Sequence, residues 1–79
     1  MTSQQFDQLA TIFRAVFRLP DGADPRAAAP GVTPTWDSLA HVTLVAALEN
    51  EFGVSIDPGD ALRLTSFEET LAVLAELGA

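Results

Sequence analysis

The sequence predicts an all-α domain: a small antiparallel four-helix bundle of three main helices and one short helix, with a long first loop. Three observations predict it. Apolar residues recur at helical spacing in separate segments, cap-forming residues and Gly or Pro stand at the segment ends, and no alternating run is long enough for a sheet. At 79 residues and 48% hydrophobic, the chain is too apolar for a disordered acidic tail and has the size of one domain, residues 1–79, with a thin core. A deep substrate cavity is not expected.

In the first segment Phe6, Leu9, Ile12, Phe13, Val16 and Phe17 fall on one stripe of a helix. Ser3 is its expected N-cap, and Arg14 and Arg18 suit the negative end of its dipole. Pro20, Gly22, Pro25, Pro30, Gly31 and Pro34 then break both helix and strand, so residues 19–37 form a loop, with Ala27, Ala28 and Ala29 as filler. Loops longer than about 12–15 residues in a compact domain are uncommon and are often functional or mobile.

Asp37 and Ser38 are both N-cap types, and Leu39 to Phe52 contains no Gly or Pro, which predicts a second helix of about four turns closed by Gly53. Asp57-Pro58 is a cap followed by a first-turn proline and opens a short helical turn to about Leu64. Thr65-Ser66-Phe67-Glu68-Glu69 offers two overlapping capping boxes for a last helix, whose stripe is Phe67, Leu71, Leu74 and Leu77 and whose end is Gly78.

Charge is unevenly placed. In residues 1–36 Asp7, Asp21 and Asp24 balance Arg14, Arg18 and Arg26; downstream, eight acids face Arg63 alone and hold the whole net charge of −7. Such a surface argues against nucleic acid or anionic lipid, which need clustered Lys and Arg, and favours basic protein partners. With no Cys and one His there is no disulfide, no thiolate chemistry and no usual zinc set. The first residues lack a basic n-region and an apolar h-region, and no stretch reaches the ~18 apolar residues of a membrane span, so a cytoplasmic monomer is expected.

Catalytic and metal patterns fail on inspection. Ser38, His41 and Asp37 include the residue types of a hydrolase triad, but they lie within one turn of one helix and no G-x-S-x-G elbow is present. Asp57 to Glu68 has the length of a calcium loop, yet Gly59, Ala61 and Leu62 stand at positions that need ligands or the turn glycine. On a helical wheel Leu44, Val45, Leu48 and Phe52 form a core arc, whereas Leu39, Val42 and Ala46 form a second apolar stripe beside Ser38 and Glu49. The second stripe suits either contact with another helix or a docking strip. His41 reads as a boundary residue of the helix, and Trp36 as packing the loop against it.

The run WDSLAHVTLVAALENEFGVSI, Trp36 to Ile56, resembles the modification site and following helix of acyl carrier proteins and related carrier domains. The E-x-E-F-G helix ending, the D-P turn and the T-S-F start of the last helix extend the resemblance from about Thr33 to the end, and the first helix agrees in pattern. The resemblance implies a non-catalytic carrier in which Ser38 bears 4'-phosphopantetheine, attached from coenzyme A by a phosphopantetheinyl transferase. Its thiol would hold an acyl, hydroxyacyl or aminoacyl unit as a thioester. A phosphodiester on Ser38 would sit at a helix N-terminus, where unpaired N–H groups and the dipole favour an anion by roughly 0.3–1 kcal/mol. Alternatively Ser38 is a plain N-cap; Asp37 is open to both capping and transferase recognition.

The same resemblance implies docking through Asp37, Leu39, Val42, Ala46, Glu49, Asp57 and Asp60. The implied partners are the transferase, an acyl-loading ligase or acyltransferase, and a ketosynthase or other acyl-accepting enzyme with a basic docking surface. Ala40 and Thr43 stand where fatty-acid carriers typically place acids, and Ala46 where a larger apolar residue is common. T-P-T-W-D-S also lacks the G-G-x-S lead-in of peptidyl carriers. A stand-alone carrier of a specialised-metabolite, polyketide or fatty-acid type pathway is the expectation. The alternatives are a peptidyl or aminoacyl carrier of a nonribosomal-peptide-type pathway, and an unmodified acidic helical interaction module.

Overall fold

The computed structural model describes residues 2–79; residue 1, the first of the expected domain, lies outside them. Four helices and no strand are present among the described residues: α1 (Ser3–Phe17), α2 (Ser38–Phe52), α3 (Pro58–Leu62) and α4 (Phe67–Glu76). The predicted all-helical bundle is therefore the observed one.

Thr2, rather than the expected Ser3, caps α1. The reason is local: Gln5 stands three residues after Thr2, so the Thr2 hydroxyl accepts the Gln5 N–H at 3.2 Å while the Gln5 side chain accepts the Thr2 N–H at 2.9 Å. Phe6, three residues after Ser3, has no acceptor with which to close such a box. Leu9, Ala10, Phe13 and Phe17 form the buried face of α1, and Arg18 ends it in the left-handed region at φ 50°.

The long loop carries one 3₁₀ turn, Pro25–Ala27, which opens on Asp24 and packs against α1 and α4. Pro25 is buried, and Ala28 is 4% exposed, so the alanine run is not filler; a side chain as small as a methyl fits where the loop meets the core. Beyond it Val32 and Thr33 donate to the Ala29 carbonyl, Trp36 donates to the Thr33 carbonyl, and the Thr35 hydroxyl donates to the Phe17 carbonyl. These bonds pin the loop's end, and with it the start of α2, to the end of α1.

Four aromatic rings make the centre. Phe13 meets Phe17, Trp36 and Phe67 edge to face at 5.3, 5.6 and 5.1 Å, and Phe17 stacks on Trp36 at 4.2 Å. In α2 Leu44 and Leu48 are fully buried, whereas Val45 and Phe52 of the expected core arc are half-buried and pack at its edge. Helix α2 ends at Gly53, whose φ of 65° is the left-handed conformation that terminates the helix.

Helix α3 stops at Leu62, two residues before the expected end, and lets Leu64 turn fully into the core. The Ser66 hydroxyl accepts the Glu69 N–H at 3.0 Å to cap α4, but the reciprocal half of the box is not made: the Glu69 carboxylate is drawn to Arg63 at 3.1 Å. Phe67 and Leu74 of the expected stripe are buried, Leu71 and Leu77 half-buried, and Thr70 and Val73 join the buried face. Helix α4 ends at Glu76, with Gly78 at φ 86° just beyond.

Candidate functional site

Ser38 is the first residue of α2 and is exposed. Capping is done by Asp37, whose Oδ1 accepts the Ala40 N–H at 2.8 Å while its carbonyl accepts the His41 N–H at 2.9 Å. The Ser38 hydroxyl therefore has no part in starting the helix. The N–H groups of Ser38 and Leu39, ahead of the first intrahelical bond, find no acceptor among the described residues. An exposed, unengaged hydroxyl beside unpaired N–H groups fits a phosphodiester, which brings acceptor oxygens and negative charge to the positive end of the dipole.

One helical turn on, His41 joins three parts of the fold. Its Nδ1 accepts the Trp36 indole N–H at 3.2 Å, and its Nε2 lies 2.8 Å from the Ala61 carbonyl of α3. Indole N–H only donates and a carbonyl only accepts, so a ring with its proton on Nε2 satisfies both partners. The boundary residue read from the wheel is thus a bridge from the first loop through α2 to α3. Trp36, 7% exposed, packs the loop as expected.

Two shallow recesses lie along the α2–α3 seam, meeting at His41 and Val42. The first, about 490 Å³, holds Ser38 at its rim with Pro30, Trp36, Val42 and Leu62. The second, about 370 Å³, is lined by Val45, Ala46, Glu49, Ile56, Pro58 and Ala61. Leu62, 79% exposed, was not among the residues expected here. Its presence follows from α3 stopping at Leu62, which leaves that side chain on the Ser38 side while Leu64 fills the core; only the pairing of an apolar residue with an adjacent, more deeply placed one in Leu62-Arg63-Leu64 hints at it.

The residues expected to dock fall into two kinds. Leu39 and Val42 are 75% and 65% exposed, and Ala46 is exposed with them along one side of α2. Each acid of the set also has a place in its own fold. Asp37 caps α2; Glu49 accepts the Ile56 N–H at 2.8 Å and ties down the turn into α3; Asp57 accepts the Asp60 N–H at 2.7 Å and caps α3; Asp60 lies 3.8 Å from Arg63. Arg63 is held by a two-pronged contact with Glu76, at 2.7 Å on each arm, and by Glu69. The guanidinium lowers the Glu76 pKa, and the carboxylates raise that of Arg63.

A small helical scaffold that presents an exposed serine at the head of a helix, at the rim of an open recess, has the form of a carrier domain. Residues 36–74 match the family model described as a phosphopantetheine attachment site, so this segment is a carrier domain of the acyl carrier protein type, and its cofactor is covalently attached 4'-phosphopantetheine. Domains of this kind are non-catalytic and are served by phosphopantetheinyl transferases and acyl-handling enzymes. Comparison with curated proteins gives no match. No helix among the described residues is long and apolar enough to cross a membrane.

Proposed function

We propose that the chain, residues 1–79 as one domain, is a non-catalytic acyl carrier of the cytoplasm and that Ser38 is its attachment residue. The observation that carries this reading is the division of labour at the head of α2: Asp37 makes the cap, and the Ser38 hydroxyl is left exposed and unengaged. In attachment, Ser38 Oγ forms a P–O bond to the pantetheine-bearing phosphorus of coenzyme A as the pyrophosphate bond breaks. Adenosine 3',5'-bisphosphate leaves, and the hydroxyl proton passes to a base on the transferase. The bound arm supplies a thiol that carries acyl, hydroxyacyl or aminoacyl units as thioesters.

The chain's own residues present the arm and meet the partner. Asp37 fixes the helix start, Leu39, Val42 and Ala46 offer an apolar strip, and Glu49, Asp57 and Asp60 give its flank negative charge for enzymes with basic docking surfaces. Ala40 and Thr43, uncharged just after Ser38, favour a specialised pathway over general fatty-acid synthesis.

The test is intact-mass analysis after incubation with coenzyme A, Mg²⁺ and a broad-specificity phosphopantetheinyl transferase. Wild type is expected to gain one phosphopantetheine and Ser38→Ala none. No gain under conditions that modify a control carrier overturns the reading in favour of an unmodified interaction module; a gain that persists in Ser38→Ala moves the attachment elsewhere.

A further inference from the structure

The seam between α2 and α3 is stitched at two points. At the Ser38 end the His41 ring reaches the Ala61 carbonyl at 2.8 Å, and at the far end Glu49 Oε2 accepts the Ile56 N–H at 2.8 Å. Leu44 and Leu48 of α2 and Leu64, two residues past the end of α3, are fully buried in the core. A chain leaving Ser38 and heading between the helices passes His41, which shares a helix face with Ser38 and lines both recesses of the seam. To enter it must part His41 from the Ala61 carbonyl, which keeps the Leu64 N–H at 3.2 Å, and from the Trp36 indole N–H, a donor that has no other acceptor among the described residues.

Resting on the carrier reading, we propose that His41 is a specificity-determining lock: it keeps the α2–α3 seam shut, so that cargo attached through Ser38 is carried outside the bundle whatever its length. The two recesses along the seam are open and shallow, His41 lines both of them, and neither reaches Leu44, Leu48 or Leu64, which are fully buried. Such a carrier leaves its acyl group accessible to partner enzymes without a step in which the bundle opens.

The experiment loads wild type and His41→Ala with non-hydrolysable acetyl and octanoyl pantetheine analogues through the transferase, checks loading by intact mass, and compares thermal midpoints within each protein. Wild type is expected to melt at the same temperature with either group. In His41→Ala the octanoyl form is expected to melt about 4 °C or more above the acetyl form, since a buried chain adds stability to the folded state of a domain this small. In parallel, methyl NMR of wild type follows Leu44, Leu48 and Leu64, whose shifts are expected to be the same under both groups. Octanoyl-dependent melting or methyl shifts in wild type overturn the proposal, as does an absence of chain-length dependence in a folded His41→Ala. The wild-type methyl measurement decides the matter even where His41→Ala does not fold. Absence of any mass gain is a different failure, that of the carrier reading itself.

Discussion

Asp37 and Ser38 are neighbours with separable duties. Asp37→Ala removes the side chain that accepts the Ala40 N–H and is expected to cost about 1 kcal/mol in chemical denaturation. Asp37→Asn keeps an equally good cap, so it should leave stability nearly unchanged and isolate any part the charge plays with the transferase. The same distinction governs the docking acids. Charge reversal at Glu49 or Asp57 would break the bonds to Ile56 and Asp60 along with any partner contact. Glu49→Gln and Asp57→Asn retain an acceptor and delete the charge. They are expected to leave the unfolding midpoint in place, to weaken association with a basic partner and to lessen its salt dependence, as read by binding kinetics at several ionic strengths. Among the buried residues Trp36 matters most to the site. Trp36→Ala is expected to cost about 3–5 kcal/mol, through the lost contact with Phe13 and Phe17 and the cavity left at the loop.

Where each helix begins and ends was largely legible, because caps are short-range chemistry. Asp37, Asp57 and Ser66 cap α2, α3 and α4 as their neighbours in sequence imply, and Gly53 takes the left-handed conformation that the end of α2 requires. Gly53→Ala places a β-carbon on a residue at φ 65° and is expected to destabilise the fold by about 1 kcal/mol. Arg18 is the opposite case, a side chain at φ 50° with the α1 cap to make. Arg18→Gly relieves that conformation and is expected to raise the unfolding free energy, by up to about 1 kcal/mol. The candidate attachment serine, too, was legible from Trp36-Asp37-Ser38-Leu39 and the helix that follows. What sequence could not supply was set by distant partners. Ala28 is in the core because α1 and α4 close over the 3₁₀ turn; the Glu69 half of a capping box is lost to Arg63; His41 finds Ala61 twenty residues away. Local pattern carries no information on which of two satisfactory partners a side chain will take.

The acidity of the molecule is partly gathered by one residue. Arg63 joins the end of α3 to α4 through Glu69 and Glu76, in the half of the chain that holds the whole net charge. Its guanidinium depresses the Glu76 carboxyl below the ordinary 4.5. A carboxyl lowered on folding contributes stability that is complete above its unfolded value and is lost as pH falls through the folded one. Denaturation of wild type and Arg63→Gln between pH 3 and 7 is therefore expected to show the largest gap above about pH 5, narrowing steadily below pH 4.5. The rest of the bundle is held by its aromatic centre, and Trp36, the single tryptophan, joins that centre to the rim where Ser38 stands. One fluorophore is thus built into the loading end of the protein. Its emission, free of any label or competing indole, can follow the first loop lifting away, an arm arriving at Ser38, or the release of His41, each in real time.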